Sequence, residues 1–266
     1  MYNYPAVPGI DTLPTMYDLP SEDPEEMGLP DEFHDFQPKL LRETCQPAEV
    51  DFFIGADLNL YYDVRQTSWY KRPDWFLVLG APASQSQADL RLSYVMWQEG
   101  VAPFLMVELL SPGTEAEDLG QTLRVVGKPP TKWQVYEQIL RVPYCAIYDR
   151  YSNQFRMFCL QGARYVELAV SGQGFWFEEL GLGLGIWAGA YFGVDGQWLR
   201  WYDRSGSWIG TDREQLIQAQ QRADTATQLA DEASQRANEA SQQANRERER
   251  ADRLAAKLRE LGIDVE

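Results

Sequence analysis

The sequence predicts a mixed α/β domain that is followed by a long helical tail. Short apolar segments bounded by Gly, Pro or polar residues begin near residue 51. One amphipathic helical pattern interrupts them at 131–141, and no aromatic residue follows Trp208. Strands, then a helix, a buried strand and further strands are the order that a mixed α/β fold produces.

The strand candidates are apolar runs of strand length between turn-forming residues. They are FFIGADLNLYYDV (52–64), WFLVLG (75–80), LRLSYVMW (90–97), FLMVELL (104–110), PYCAIYD (143–149), QFRMFCL (154–160), RYVELAV (164–170), FWFEEL (175–180), WLRWYD (198–203) and SWIG (207–210). The segment TKWQVYEQILR (131–141) is typical of a helix, because Thr131 can cap it and apolar residues recur on one face.

The cysteines and the histidine exclude several kinds of site. The three cysteines, Cys45, Cys145 and Cys159, are too widely spaced for a zinc site or a disulfide framework, so a reducing cytoplasm fits best. The single histidine, His34, excludes a His-rich metal cage, and we expect it at the surface or at a helix cap. No apolar run is long enough for a transmembrane helix, and the N-terminus lacks the pattern of a signal peptide.

Acidic residues outnumber basic ones, and the net charge is −16. Such a charge argues against a protein that binds nucleic acid over its whole surface. The excess is uneven, since residues 1–50 carry 11 acidic and 2 basic side chains whereas residues 51–211 carry 17 and 13. Local basic patches are therefore compatible with the central part of the chain.

We predict three parts along the chain. Residues 1–30 are rich in Pro and acidic residues, which predicts a flexible acidic arm. Residues 31–211 predict the folded domain, which opens with a short helix at 31–46. Residues 212–262 predict a coiled-coil helix.

The coiled-coil prediction depends on a row of small and apolar residues spaced alternately by three and four. The row comprises Leu216, Ala219, Ala223, Ala226, Ala230, Ala233, Ala237, Ala240 and Ala244, and after a break at Glu247 it resumes with Ala251, Leu254, Leu258 and Leu261. Alanine buries little area, so the seam is weak for each residue. A self-associating or docking helix and a solvated, partly frayed helix both remain open.

Two carboxylates and a lysine are the candidate site residues. Glu108 lies inside the apolar run FLMVELL, where an unpaired carboxylate costs several kcal/mol unless it is paired, protonated or metal-bound. Asp74 stands at the start of WFLVLG, and Lys132 lies in the first turn of the predicted helix. Acidic groups on neighbouring strands can hold Mg²⁺, and a nearby lysine can orient or deprotonate the attacking water.

Each of these residues also has a purely structural explanation. Asp74 follows a proline and fits a turn, and Glu108 fits the open side of a sheet or a bond to the N–H groups of the SPGT turn. Lys132 fits a solvated helix position. The order and spacing of the three residues favour the site over these alternatives.

The order of motifs along the chain is more specific than any one of them. It runs from Pro73-Asp74 to VELLSP (107–112), Lys132 with Tyr136, RVPYCAIYDR (141–150) and ELGLGLGIWAGAY (179–191). This order resembles the Uma-two family of bacterial endonucleases, which belongs to the restriction endonuclease-like PD-(D/E)XK superfamily. The resemblance covers roughly residues 31–205 and leaves out the arm and the tail.

The resemblance implies a fold, a site and a substrate. The expected fold is a restriction-endonuclease-like core with a central mixed sheet flanked by helices, plus the long C-terminal helix. The resemblance implies Asp74 and Glu108 as metal ligands, Lys132 as the catalytic lysine, Mg²⁺ or Mn²⁺ as the cofactor, and DNA as the substrate.

Two departures from the superfamily pattern concern the lysine. Its usual position, two residues after the second acid, is Leu110 here, so the chain resembles members whose lysine lies on the neighbouring helix. An insertion, LGQTLRVVGKPPT (119–131), separates Asp118 from that helix. Lys128 is a rival for the role, but Lys132 is favoured because Tyr136 and the following strand keep their register.

Three functional hypotheses follow from the sequence. The first is a metal-dependent nuclease that hydrolyses DNA phosphodiester bonds through Asp74, Glu108 and Lys132. The second is a catalytically silent scaffold that self-associates or docks through its C-terminal coiled coil, which the acidic surface favours. The third is a nuclease that the tail dimerises, so that two sites cut two strands.

Overall fold

The fold was analysed in a computed structural model. It describes residues 13–15, 31–47, 51–110, 115–123, 125, 127–170 and 172–260. The chain divides into two compact units, Met1–Ile209 and Gly210–Glu266. Of the arm predicted at 1–30, only residues 13–15 are described, and there the Trp97 indole N–H donates to the Pro14 carbonyl at 2.9 Å. The rest of that prediction lies outside the described residues.

Most of the predicted strands are present, but the strand predicted at 90–97 is wrong for most of its length, because only Tyr94–Val95 is strand and Met96–Glu99 is helix. The helices are α1 (Glu32–Thr44), α2 (Met96–Glu99), α3 (Glu115–Asp118), α4 (Lys132–Gln134) and α5 (Asp212–Glu260), with a 3₁₀ turn at Gln87–Asp89. The strands are β1 (Phe52–Ala56), β2 (Leu60–Tyr61), β3 (Tyr70–Lys71), β4 (Trp75–Leu79), β5 (Tyr94–Val95), β6 (Leu105–Leu109), β7 (Tyr144–Asp149), β8 (Gln154–Gln161), β9 (Arg164–Leu168), β10 (Gly174–Phe177), β11 (Leu182–Tyr191) and β12 (Val194–Tyr202). The mixed α/β fold with its long C-terminal helix is confirmed.

The helix predicted at 131–141 is present but changes character after its first turn. Thr131 caps α4 in a capping box with Gln134, and the chain then continues as a π-helix over Val135–Ile139. Val135, Tyr136 and Glu137 are all buried in this segment. Short π-helical segments occur often at functional sites.

A six-stranded mixed sheet forms the centre of the first unit, in the order β1-β4-β6-β7-β8-β9. Among its described strands, β6 and β7 pair in parallel and the other neighbours are antiparallel. A parallel pair requires a crossover connection, and here it contains α3 and α4. The crossover therefore returns over the sheet beside the strand that carries Glu108.

Two smaller sheets complete the first unit. The antiparallel sheet β10-β11-β12 contains the long hairpin of β11 and β12, and β3-β2-β5 is a short mixed sheet. Gly185 of β11 lies so close to the Gln173 carbonyl that an added Cβ would stand 2.0 Å from its oxygen. Gly185 thus permits close approach of a neighbouring backbone to β11.

One face of the six-stranded sheet, which we call the tryptophan side, carries Trp75, Leu77 and Val107. These side chains belong to one buried cluster with Leu41 of α1 and Trp201 of β12. The rings of Trp75 and Trp201 lie 6.1 Å apart between their centroids. Aromatic and aliphatic burial of this kind is the main stabilising contribution to the fold.

The opposite face, which we call the lysine side, carries Phe76 and Met106. They form a second buried cluster with Val135 and Tyr136 of the π-helical segment. Successive side chains of a strand point to opposite faces, so Glu108, between two residues of the tryptophan side, points to the lysine side.

Helix α1 is hydrogen-bonded to β12, the last strand of the first unit. Its N-cap is Asp31, whose carboxylate accepts from the His34 backbone N–H. The short helix predicted at 31–46 is present as Glu32–Thr44. Gln37 is buried and makes two bonds to β12: its side-chain N–H donates to the Leu199 carbonyl at 2.8 Å, and its side-chain oxygen accepts from the Leu199 N–H at 2.9 Å. A side-chain amide that replaces a strand partner in this way fixes the position of the helix.

The second unit is the 49-residue helix α5. Thr211 and Glu214 form a reciprocal cap at its start, since each side chain accepts from the other residue's backbone N–H at 3.2 and 2.8 Å. No residue of α5 is buried within the chain. The helix predicted at 212–262 is present as far as Glu260, residues 261 and 262 lie outside the described part, and its association through the Ala/Leu row stays a prediction.

Candidate active site

Glu108 lies in the middle of the domain and is only 1 % exposed. Strand β6, between β4 and β7, presents it to the lysine side. One of its carboxylate oxygens accepts from the Tyr136 hydroxyl at 2.6 Å, and the other accepts from the Lys132 ammonium at 3.1 Å. Both partners come from the crossover helix, which explains how an apolar strand can contain a carboxylate.

Lys132 bridges two buried carboxylates. Its Nζ lies 3.1 Å from Glu108 Oε2 and 2.6 Å from Asp118 Oδ1, and its side chain is 18 % exposed. The capping box of Thr131 and Gln134 fixes the start of α4 and so the direction of this side chain. The rival candidate, Lys128, is exposed on the preceding loop.

Asp118 is not among the site residues that the sequence predicts. It ends α3, is 2 % exposed, and its backbone carbonyl accepts from the Trp133 indole N–H at 2.8 Å. Gly120, at φ +68°, leaves room for that indole, because an added Cβ would lie 2.4 Å from the Trp133 ring. The acidic stretch EAED gives no sign of which carboxylate points inward, so the only available signal was the spacing to Lys132.

Asp74 directly precedes β4 and is half-buried. Its carboxylate accepts from the Leu109 backbone N–H at 2.6 Å. The β4–β6 ladder ends with Trp75 opposite Val107, and continuing its register by one residue sets Asp74 opposite Glu108. Opposed residues of an antiparallel pair point to the same face, which brings both predicted acids to the lysine side.

His34 lies next to this ladder position. Its side chain is only 10 % exposed, so it lies in the first turn of α1 without reaching the open surface. One ring nitrogen is 2.8 Å from Asp31 Oδ1 and the other is 3.1 Å from the Leu109 carbonyl oxygen. Two acceptors favour an imidazole that is protonated on both nitrogens. The sequence offers no signal for this placement, because it follows from the packing of α1 on the sheet.

One comparison with known proteins decides the family of this chain. The family model Uma2, described as a putative restriction endonuclease, matches residues 4–191. The chain belongs to the Uma2 family. Among curated proteins none matches it. The family resemblance seen in the sequence is thereby confirmed, although the match begins at residue 4, within the arm that the resemblance left out, and ends at residue 191.

Burial and crowding of charge set the protonation behaviour of the site in this Uma2 protein. Burial, reinforced by the nearby acids and only partly opposed by Lys132, raises the pKa of Glu108 to about 8. Burial also raises the pKa of Asp74. For Lys132, burial by itself lowers the pKa, but the surrounding carboxylates outweigh burial and raise it well above the ordinary value. The lysine therefore stays an ammonium at neutral pH.

The donor set of the Uma2 site is suited to a hard divalent cation. Carboxylate oxygens are the ligands that Mg²⁺ prefers, and a cation would favour the charged form of Glu108, whose pKa is raised by burial and then by the neighbouring acids Asp74 and Asp118. Within the described residues, no group of three or more His, Cys, Asp or Glu side chains is arranged to hold a metal. The ligand roles of Asp74 and Glu108 stay predictions.

The helices that the structure describes include none that is long and apolar enough to cross a lipid bilayer.

Proposed function

We propose that this protein hydrolyses DNA phosphodiester bonds in a reaction that depends on Mg²⁺ or Mn²⁺. Asp74 and Glu108 hold the ion, and Lys132 assists the attack of water. The observation that carries the proposal is the contact of the Lys132 ammonium with the buried Glu108 carboxylate, 3.1 Å away, at the strand position next to Asp74. Membership of a family described as restriction endonucleases supports the same reading.

The metal ion, Tyr136 and Lys132 have separate roles in the proposed reaction. A bound divalent ion lowers the pKa of water and stabilises charge on phosphate oxygens. The Tyr136 hydroxyl, 2.6 Å from Glu108, holds that carboxylate in one orientation. Lys132 keeps its proton because of the carboxylates around it, so it orients water and stabilises developing charge and does not act as a general base.

The cleavage test uses plasmid DNA and single-stranded DNA with Mg²⁺ or Mn²⁺. Wild type is compared with Glu108→Gln, which keeps the shape and removes the charge. Glu137→Gln is the matched control, because Glu137 is also a buried glutamate of the lysine side but accepts from the Tyr165 backbone N–H at 2.6 Å, outside the site. Cutting by wild type and by the control, but not by Glu108→Gln, is the expected result.

The opposite outcome is equally specific. If none of the three proteins cuts DNA while Glu108→Gln is the most heat-stable of them, Glu108 is a buried charge without a catalytic use. The proposal of a nuclease would then be abandoned.

The second candidate function is an interaction scaffold that acts through α5. A 49-residue helix without a buried residue, with the Ala/Leu row along it, favours this candidate. Sedimentation of the full chain against a 1–211 truncation tests it. An oligomeric mass for the full chain, with a monomeric mass for the truncation, supports self-association. A dimeric nuclease requires the same result. Monomeric masses for both proteins reject self-association.

A further inference from the structure

Arg42 on α1 is a basic side chain without a carboxylate partner among the described residues. Its Nη2 donates to the Ile54 carbonyl oxygen at 2.8 Å, and burial lowers the pKa of the guanidinium. The chain has 40 acidic and 24 basic side chains, so counter-ions are abundant. Arg42 is an exposed residue, and a guanidinium that meets only a carbonyl retains donors for an anion.

Arg42 lines a cavity of about 180 Å³ between α1 and the end of β1. His34 and Lys39 contribute to the same wall, and Asp35, Ala56 and Asp57 line the rest. One water occupies ~30 Å³ of liquid. The cavity therefore has room for a phosphate group with a few waters, while the remainder of a nucleotide stays outside.

The acids of this cavity already have partners. Asp35 pairs with Lys39 at 2.6 Å, and Asp57 pairs with Arg72 at 3.0 Å. The Lys39–Asp35 pair is about half exposed on each side chain, and such pairs contribute little stability, so Lys39 can exchange Asp35 for an incoming anion at small cost. Because both acids of the wall are paired with other cations, they do not neutralise the positive charge of Arg42.

The cavity wall adjoins the backbone at the start of β4, where Asp74 lies. Ala56 lies opposite Trp75 in the β1–β4 ladder, and the Asp57 N–H donates to the Asp74 carbonyl oxygen at 3.2 Å. The same two-residue segment thus forms the cavity wall and borders the start of β4. His34 in the cavity wall also interacts electrostatically with Asp74, so a DNA strand bound at Asp74 would have this wall beside it.

We propose that the cavity lined by Lys39 and Arg42 binds a backbone phosphate of the DNA strand beside the cleavage position. This inference rests on the proposed function and adds a binding site to it. It also gives an acidic protein a means to hold a polyanion, because a few placed cations at the site suffice where the total charge is unfavourable.

The test measures binding of a labelled DNA duplex as a function of salt, in the Glu108→Gln background with Mg²⁺ present. Arg42→Gln is compared with Arg141→Gln, a matched control whose Nη2 also donates to a backbone carbonyl, that of Gly162, at 2.9 Å. Each phosphate contact contributes ~0.9 to the slope of log K against log salt. We expect Arg42→Gln to weaken binding about fivefold and to reduce the slope by about 1, with no change in Arg141→Gln.

Steady-state cleavage in the otherwise wild-type chain gives the second readout. Arg42→Gln is expected to raise KM while kcat stays unchanged, and Arg42→Lys to restore part of the salt slope. Equal affinities and slopes for the Arg42→Gln and Arg141→Gln proteins would overturn the phosphate site and leave the nuclease proposal intact.

Failure of the nuclease proposal is recognised separately. If wild type neither cuts nor binds DNA, pyrophosphate replaces DNA as the probe, and thermal shift is measured with Arg42→Gln and Arg141→Gln. If pyrophosphate raises the Tm of Arg141→Gln but not that of Arg42→Gln, an anion site at Arg42 is supported although the nuclease proposal has failed. The absence of a shift in both variants rejects it.

Discussion

The two sides of the six-stranded sheet are built from different chemistry. On the tryptophan side Trp75, Trp201 and their neighbours exclude water with aromatic and aliphatic groups. On the lysine side the crossover buries Glu108 and Asp118 against Lys132. Apolar burial stabilises a fold directly, whereas a buried ionic cluster contributes little net stability because desolvation offsets its attraction. Both sides therefore contribute apolar burial to stability, and the buried charged cluster is the feature that distinguishes the lysine side.

The largest effect on stability is expected on the tryptophan side. Trp201 is fully buried against Trp75, so Trp201→Ala removes a large apolar volume and is expected to cost about 3–5 kcal/mol in the free energy of unfolding. Urea denaturation measures it. Trp201→Phe, which keeps a ring, is the control and loses less. The cleavage rate per folded molecule is expected to stay normal. A loss of cleavage larger than the loss of folded protein would contradict the separation of the two sides.

The largest effect on cleavage is expected on the lysine side. Lys132→Met removes the ammonium between Glu108 and Asp118 and is expected to lower kcat by about 10²–10³-fold. Lys128→Met, on the exposed loop, is the control. Should Lys128→Met lose activity and Lys132→Met retain it, the rival lysine of the sequence would be the functional one.

The pH dependence of stability separates the two sides further. The pKa of Glu108 is raised from 4.5 to about 8, so the folded state keeps a proton that the unfolded chain releases. The contribution of Glu108 to the free energy of unfolding is complete below pH 4.5, the pKa of the unfolded chain. It falls by ~1.4 kcal/mol for each pH unit as pH rises from there to about 8. Glu108→Gln is expected to remove this slope and to be the more stable protein at the upper end.

Unfolding free energies at several pH values between these limits provide the measurement. Glu137→Gln is expected to retain the slope of wild type. Parallel curves for wild type and Glu108→Gln would show that Glu108 does not hold the proton.

The smallest effect is stabilisation by the metal. A ligand that binds only the folded state at ten times its Kd adds about 1.4 kcal/mol. Mg²⁺ is therefore expected to raise the Tm of wild type by a few degrees and to leave Glu108→Gln unchanged. An equal rise in both proteins would place the ion elsewhere.

The fold could be predicted from the sequence because its signals are local. Apolar runs such as WFLVLG became strands, and Thr131 marked the start of α4. The meeting of Glu108 and Lys132 was predicted from motif order, which records the β6–α4 crossover. Asp118 and His34 were not predicted as site residues, because their places depend on Trp133 against Gly120 and on α1 against the sheet. Such long-range packing has no sequence pattern of its own.

The bonds between Gln37 and Leu199 have a consequence for synthesis on the ribosome. They join residues 162 positions apart, whereas Lys132 and Glu108 are separated by 24. A nascent chain therefore exposes all of the candidate site before β12 can close the tryptophan side. Until Leu199 emerges, Leu41 and Trp75 lack their β12 partners and offer apolar surface to chaperones and proteases. We therefore expect a chain truncated before β12 to be recognised by chaperones and proteases even though it contains every residue of the candidate site.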